Sequence, residues 1–215
     1  MYYKDAGFRA LYKNFVAFSL NDKLKPCIEN FPAADKANCI LTYGYIDRQA
    51  GLTMEILAAG IENDGRFSFA DTTTEKRAFI RVSAVIEDEF FVFSDENGSL
   101  SRRYAEKLDV LKHYAASEEI EEIRKMDFLD RFRDKCYPDD VLVFLTRRGR
   151  RPEGCWVRIT GIGNDCIKGT LLNEPDQNFG HHSGETITFY AGRKEDDSVI
   201  LYTDMTPGAH WLRRK

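Results

Sequence analysis

The sequence predicts an α+β protein in which an N-terminal helix and an antiparallel sheet are followed by two central helices and a C-terminal small antiparallel β-barrel, SH3-like in kind. Apolar residues recur at i, i+3 and i+4 near the N-terminus and in the middle of the chain, which indicates helices. Elsewhere apolar and polar residues alternate between Gly, Asn and Asp clusters, which indicates strands and turns. The clearest such run extends from Glu153 to Phe189.

Length and composition indicate a globular protein. A chain of 215 residues with 43% hydrophobic and 31% charged residues fills packed cores and keeps a solvated surface. We expect an α+β domain over residues 1–116, a linking helix over 117–137 and the barrel domain over 138–215. No apolar run reaches the roughly 18 residues that a membrane-spanning helix needs, and the charged N-terminus does not resemble a signal peptide. The predicted location is therefore the cytoplasm, without membrane attachment.

Charge and cysteine content exclude several kinds of site. The formal net charge is −4, and basic and acidic residues balance from Pro138 to Lys215, so neither half has the basic excess of a nucleic-acid-binding domain. The five cysteines are widely spaced, without a C-x-x-C pair, which indicates free buried thiols rather than a zinc or redox site. We expect no cofactor and no bound metal.

The first half of the chain is predicted from its periodicity. Phe8 to Leu20 carries apolar residues at helical spacing, and Pro26 and Pro32 interrupt regular structure after it. Alternating runs then predict an antiparallel sheet, with Asn63-Asp64-Gly65 as a hairpin turn. The predicted strands are Cys39–Ile46, Leu52–Ala59, Phe67–Phe69, Arg77–Ile86 and Glu89–Phe93.

The second half begins with the two central helices. The first runs from about Ser99 to Ala116, and the second starts at Ser117 as N-cap and ends before Pro138. The glutamates that follow Ser117 complement the helix dipole, which favours a capped helix start over an acidic interaction tail. The barrel strands then follow, with a loop at Arg147–Arg151 and a hairpin at Gly161–Asp165. Those strands are Val141–Thr146, Trp156–Ile159, Cys166–Leu172, Glu185–Tyr190 and Val199–Thr203.

Several residues of the predicted barrel form a series in fixed order: Glu153 and Trp156-Val157, then the run Gly169–Pro175, then Gly184, Glu185, Ile187 and Phe189. This series resembles a group of small bacterial β-barrel domains of unassigned biochemical function, which occur near polymorphic toxin systems and are suspected immunity proteins. The resemblance covers the chain from Pro138 to the last predicted strand. It implies a barrel and a protein partner, such as a toxin. Relatives carry a polar-aromatic pair after the last strand, whereas Asp204 and Trp211 are far apart here.

The candidate partner-binding residues lie in two loops. Four arginines around Gly149 can grip an acidic protein surface or phosphates, although a solvated hairpin loop is the favoured interpretation. Asn173-Glu174-Pro175 follows an apolar strand, where Asn173 can bond its own backbone in an Asx turn or form a recognition edge with the next residues. The adjacent histidines point to opposite faces of an extended chain and rarely chelate one metal. The full set is Arg147, Arg148, Arg150, Arg151, Asn173, Glu174, His181 and His182.

Three functional hypotheses follow. The first is a non-enzymatic protein-binding module whose charged loops occlude a toxin or another protein. The second is a hydrolase-like enzyme with a site between the domains, using Glu153, His181 or His182, and Asp204. The third is nucleic-acid binding by the barrel, which the acidic total disfavours. Trp156 is predicted to be a core or barrel-mouth residue, and the glycines at 161 and 163 belong to a hairpin rather than a dinucleotide-binding loop.

Overall fold

The computed structural model describes residues 1–71, 77–193 and 198–203, and it shows a mixed α+β protein with a curled sheet and a closed β-barrel. The chain divides into two compact units, Met1–Ala115 and Ala116–Lys215. Among the described residues, none of the helices has the length and apolar character needed to cross a bilayer.

The first unit is built on a six-stranded antiparallel sheet. Its strand order is β4-β3-β2-β1-β6, and β5 pairs with the same edge of β3 as β4 does. The strands are β1 (Phe15–Ser19), β2 (Cys39–Asp47), β3 (Gly51–Asn63), β4 (Arg66–Phe69), β5 (Phe79–Arg81) and β6 (Phe90–Phe93).

Short helices connect and cover these strands. The α-helices are α1 (Tyr3–Ala6), α2 (Val82–Val85), α3 (Ser99–Arg103) and α4 (Ala105–Leu111). The 3-10 turns are Phe8–Ala10, Lys25–Ile28, Ala34–Lys36 and Lys112–Tyr114. Together α3, α4 and the last of these turns occupy the position of the first predicted central helix.

The predicted N-terminal helix from Phe8 to Leu20 is wrong. Phe15 to Phe18 form β1, which lies between β2 and β6 and is buried along this whole run. The backbone before it also pairs outside a helix, because Lys13 N–H donates to Gly44 and Gly44 N–H donates to Asn14. A Cβ at Gly44 would stand 1.9 Å from the Leu11 carbonyl oxygen, so this close approach requires glycine. Tertiary pairing therefore overrides the helical spacing of the apolar residues.

The predicted strand Arg77–Ile86 is correct only over its middle. β5 keeps three residues paired with β3, and the chain then turns into α2. Val82 and Val85 are both buried, and their i, i+3 spacing places them on one helix face. The apolar run thus contains a strand and a helical turn in succession.

The sheet curls until its two edge strands approach each other. β4 and β6 are at opposite ends of the strand order, yet the ring centroids of Phe67 and Phe93 lie 5.1 Å apart and those of Phe69 and Phe93 lie 5.5 Å apart. Aromatic side chains fill the gap where backbone pairing is missing. Inside the curl, Tyr104 packs against Phe15 and other buried residues of the sheet.

The second unit begins with a helical segment that shares its core with the barrel. Ser117 is the N-cap of α5 (Glu118–Arg124) and accepts a hydrogen bond from Ile120 N–H, which confirms the predicted cap. The predicted continuous helix is wrong beyond this point, because Met126 is extended and a 3-10 helix (Asp127–Phe132) follows. The Arg133 guanidinium binds this helix end, since it donates to the Ile123 carbonyl at 2.8 Å.

Five strands close the barrel in the order β10-β11-β7-β8-β9. The strands are β7 (Asp140–Leu145), β8 (Glu153–Ile162), β9 (Ile167–Leu171), β10 (Thr186–Arg193) and β11 (Val199–Tyr202). Their inward side chains form one core with Ile120, Ile123 and Leu129 of the preceding helices.

The closing pair of the barrel is parallel. Tyr202 of β11 pairs with Phe144 of β7, and Thr203 N–H donates to the Phe144 carbonyl at 3.0 Å. Five consecutive strands that alternate in direction leave the first and the last pointing the same way, so their closure has to be parallel. The prediction of a wholly antiparallel barrel is wrong at this pair.

The cysteines are all free. Cys39 and Cys155 are buried as predicted, and the other three are half-buried. Cys166 lies opposite Gly163, whose N–H donates to the Cys166 carbonyl at 2.7 Å. It stands there because β8 continues to Ile162 and its pairing with β9 shifts register between Ile159 and Gly161.

A buried ion pair holds the helical segment at the start of β7. The Arg124 guanidinium donates to both carboxylate oxygens of Asp139, at 2.9 and 2.7 Å, and its side chain also reaches Glu121 at 3.1 Å. Arg124 is 2% exposed and Asp139 is 4% exposed. Each charge therefore depends on the other for the interactions that water would otherwise provide.

Replacing Arg124 by Leu leaves the Asp139 carboxylate buried without its main partner. We expect the free energy of unfolding to fall by about 3–5 kcal/mol, measured by urea denaturation followed by circular dichroism. Lys125→Ala breaks only an exposed pair with Glu122 and should change that free energy by less than about 1 kcal/mol. Equal losses in the two variants would contradict the role of the buried pair, and an Arg124→Leu/Asp139→Leu double variant should recover much of the loss.

Candidate functional site

Two loops leave the same end of the barrel. Because consecutive strands alternate in direction, the connection from β7 to β8 and the connection from β9 to β10 lie at one end. We name residues 147–151 the arginine loop and residues 172–185 the long loop. Together they contain all eight of the predicted partner-binding residues.

The arginine loop is a tight turn with exposed side chains. Arg150 N–H donates to the Arg147 carbonyl at 3.0 Å, and Gly149 has a φ of +79°, which favours glycine. Arg147, Arg148, Arg150 and Arg151 are all exposed. The Arg147 guanidinium donates to the Asn178 carbonyl of the long loop at 3.3 Å. Within the described part of the chain, the guanidinium groups of the other three have no hydrogen-bond or ion-pair partner.

Glu153 fastens the long loop to the start of β8. Its carboxylate accepts the backbone N–H of Asp176 at 2.6 Å and that of Gln177 at 3.2 Å. The Gln177 side chain also donates to the Arg151 carbonyl at 3.0 Å. Glu153 therefore positions backbone, and its charge is used within the loop rather than by the neighbouring arginines.

Asn173 joins the long loop to the middle of β8. Its side-chain oxygen accepts the Trp156 N–H at 2.8 Å, so the predicted Asx turn on its own backbone is not what the structure shows. Such a turn takes the N–H two residues on, and Pro175 in that position has no N–H to donate. The proline thus directs the asparagine to the adjacent strand.

The histidine pair contacts two different carboxylates. His182 Nδ1 lies 2.7 Å from Glu174 Oε1, and the other Glu174 oxygen accepts the Ser183 N–H at 2.8 Å. His181 Nδ1 lies 3.7 Å from Glu185 Oε2. No group of three or more His, Cys, Asp or Glu side chains placed to hold a metal ion occurs among the residues that the structure describes.

These contacts shift two pKa values in opposite directions. The Ser183 N–H, followed by His182, lowers the pKa of Glu174 below its ordinary 4.5. The hydrogen bond to Glu174 raises the pKa of His182 above its ordinary 6.5. Both charged forms are therefore favoured in the folded loop, and the pair closes the second half of the long loop.

The residues of the enzyme hypothesis do not form a shared hydrogen-bond network. Glu153 bonds to the backbone of the long loop, whereas His181 and His182 lie beside Glu185 and Glu174. Asp204 lies outside the described residues, as does Trp211. The hypothesis of a hydrolase-like enzyme gains no support from this geometry and stays a prediction.

Trp156 is the residue whose place the sequence interpretation missed. It was expected in the core or at the barrel mouth, yet it is 37% exposed on the outer face of β8. Leu172 is equally exposed beside it, and its N–H donates to the Trp156 carbonyl at 2.8 Å. The signal was present in the strand pattern, because Cys155 and Val157 both point inward and the residue between them has to point out.

Comparisons of the chain with protein-family models, with curated proteins and with solved structures found no match.

The His182–Glu174 contact gives a testable pH dependence. The stabilisation that charged His182 gives to the long loop is complete below pH 6.5 and is lost as the pH rises through the raised pKa of His182. The stabilisation from charged Glu174 is present above pH 4.5 and is lost as the pH falls through the lowered pKa of Glu174. The pair therefore stabilises the long loop most between pH 4.5 and pH 6.5.

We expect Glu174→Gln to bring the pKa of His182 back down toward its ordinary value, measured by NMR titration of the imidazole Cε1 proton. Glu118→Gln removes an exposed carboxylate of the same unit and is the matched control. An unchanged His182 titration in Glu174→Gln would show that the pair does not form in solution.

Proposed function

We propose that this protein is a non-enzymatic binding module whose barrel docks an acidic protein partner through the arginine loop. The observation that carries the proposal is the state of Arg148, Arg150 and Arg151. These three guanidinium groups are exposed and lack partners within the described residues. Each has five N–H donors in a planar fork that matches a carboxylate.

Two carboxylates near the arginine loop are used inside the long loop. Glu153 accepts two backbone N–H groups, and Glu174 accepts Ser183 N–H and pairs with His182. Arg148, Arg150 and Arg151 are therefore without a partner among the described residues. Exposed positive charge of this kind speeds association and selects acidic surfaces.

The barrel also limits how a partner can bind. Its five strands close into a ring, which limits the open sheet edge to which a partner strand can add. Recognition then uses outward side chains and loops. The long loop supplies a fixed platform for this, because Glu153, Asn173 and Glu174 each hold part of it in place.

The resemblance to suspected immunity proteins makes the proposal more specific. In this version the protein is bacterial and cytoplasmic, the barrel is SH3-like, and the partner is a toxin whose working surface the barrel occludes. This version is supported by the ordered series from Glu153 to Phe189 and by the charged loops. Nucleic-acid binding is the less favoured reading, because the net charge is −4 and the arginine loop contains no aromatic residue for base stacking.

Charge reversal tests the proposal. We expect Arg148→Glu/Arg150→Glu/Arg151→Glu to weaken binding of the partner by about tenfold or more, because attraction becomes repulsion at the docking surface. The partner is recovered by co-purification with the tagged protein from its source cells, and its affinity is then measured by titration.

Lys23→Glu/Lys36→Glu/Lys112→Glu is the matched control, since it makes the same charge change at exposed lysines of the first unit. Equal affinity of the arginine variant and this control would refute the arginine loop as the docking site. Failure of the wild-type protein to retain any specific partner would refute the binding function itself.

A further inference from the structure

A row of apolar side chains crosses the outer face of the barrel. Leu142 pairs with Trp156 across β7 and β8, and Leu172 lies opposite Trp156 at the end of β9. We name Leu142, Trp156 and Leu172 the outer row. Trp156 and Leu172 are each 37% exposed, and strands about 5 Å apart place the three side chains side by side.

The positions next to the outer row are polar on the side away from the arginine loop. The next outward pair there is Asp140 and Arg158, joined by a bidentate ion pair at 2.7 and 2.8 Å. Beyond it on β9 and β10 the outward residues are Thr170, Lys168, Thr186 and Thr188. On the other side Phe144 is the next outward residue of β7 and pairs with Tyr202. A large exposed tryptophan between two leucines thus lies at the border of an apolar and a polar part of this face, an arrangement typical of an interaction site.

Gly154 is the next outward residue of β8 on the side of the arginine loop. A Cβ there would stand 3.3 Å from Leu142 Cδ1 and 3.7 Å from Phe144 Cε1, so these two side chains lie close over the glycine backbone. The apolar surface of the outer row therefore continues over Gly154 toward the arginine loop.

The outer row is held rigidly before any partner arrives. Trp156 N–H donates to Asn173 and the Trp156 carbonyl accepts the Leu172 N–H, so the backbone is fixed on this side. Side chains on a fixed backbone lose less conformational entropy on binding. Tryptophan and arginine are also the residue types that contribute most to binding energy at protein interfaces.

We propose that the partner presents an acidic segment carrying one large apolar side chain, which seats on the outer row while its carboxylates reach the arginine loop. The inference rests on the proposed function and names the chemistry of its partner. Arg151 lies five residues before Trp156 and two residues ahead of β8, so the two are at most roughly 17 Å apart at about 3.3 Å per residue. An extended ligand therefore needs about five residues between its apolar anchor and its acidic block.

An anionic membrane surface also combines apolar groups with negative charge. The net charge of −4 opposes binding to such a surface, whereas a short segment meets only the local charge of the arginine loop. A protein segment is the occupant that this charge distribution favours.

Synthetic peptides test the inference. The first has a block of Glu residues and one Phe about five positions away, the second has Ser in place of Phe, and the third has Phe next to the block. The sequence contains 2 tryptophans, so a Trp211→Phe background makes Trp156 the sole indole reporter. We expect the first peptide to shift Trp156 emission to shorter wavelength and to bind about tenfold more tightly than the other two.

Variants separate the outer row from the arginine loop, with affinities measured by calorimetry. Trp156→Ser should weaken binding of the first peptide by about tenfold, whereas Trp156→Phe should retain most of it. Thr188→Ser, on the outer face of β10, is the control that should change nothing. Circular dichroism and thermal unfolding check that each variant keeps its fold.

The outcomes distinguish the two proposals. If the triple arginine variant loses peptide binding and Trp156→Ser does not, the role of the outer row is refuted and that of the arginine loop is kept. Equal affinity for the Phe and Ser peptides would have the same meaning. A protein that binds no peptide but retains a specific co-purified partner would also refute only the outer row. Binding to anionic phospholipid vesicles, with no preference among peptides, would replace the protein segment with a membrane.

Discussion

The closure of the barrel is the constraint on which the candidate site depends. Phe144 and Tyr202 join strands that are far apart in sequence, and Thr146 and Thr203 extend the contact beyond them through the Thr146 N–H at 3.0 Å. The alternating direction of the strands places the arginine loop and the long loop at one end. Closure then pairs the first strand with the last, which reduces the free strand edge and shifts recognition to side chains. The same strands left as an open sheet would expose both edge strands.

Electrostatics inside the second unit determine which charges are available outside it. Arg124 and Arg158 are paired with Asp139 and Asp140, and Glu153 and Glu174 are taken up by the long loop. The first pair connects α5 to the start of β7, the second connects β8 to β7, and the two glutamates bind the long loop. In the arginine loop, exposed positive charge has no such partner among the described residues. The structural ion pairs and the proposed docking surface thus use different arginines of one small barrel.

Much of the architecture follows from local sequence patterns, and the exceptions have specific causes. Alternation and turn residues predicted the positions of most strands, and Ser117 with its glutamates predicted the start of α5. The N-terminal helix was wrong because Phe15 to Phe18 satisfy both a helical stripe and a fully buried strand. Only pairing with β2 and β6 selects the strand. The second central helix ends early at an extended Met126, and Arg133, ten residues away in sequence, donates to the Ile123 carbonyl at that end.

The sequence by itself determined the two loops and their charges, because glycine turns are local properties. Its alternation also requires Trp156 to point outward, and Pro175 excludes an Asx turn at Asn173, although both residues were predicted otherwise. The tertiary structure alone decided that Asn173 reaches Trp156, that Glu153 binds residues 176–177, and that three arginines have no partner among the described residues. Those facts depend on which distant segments meet when the strands pair and the barrel closes, and residue spacing along the chain does not contain that information.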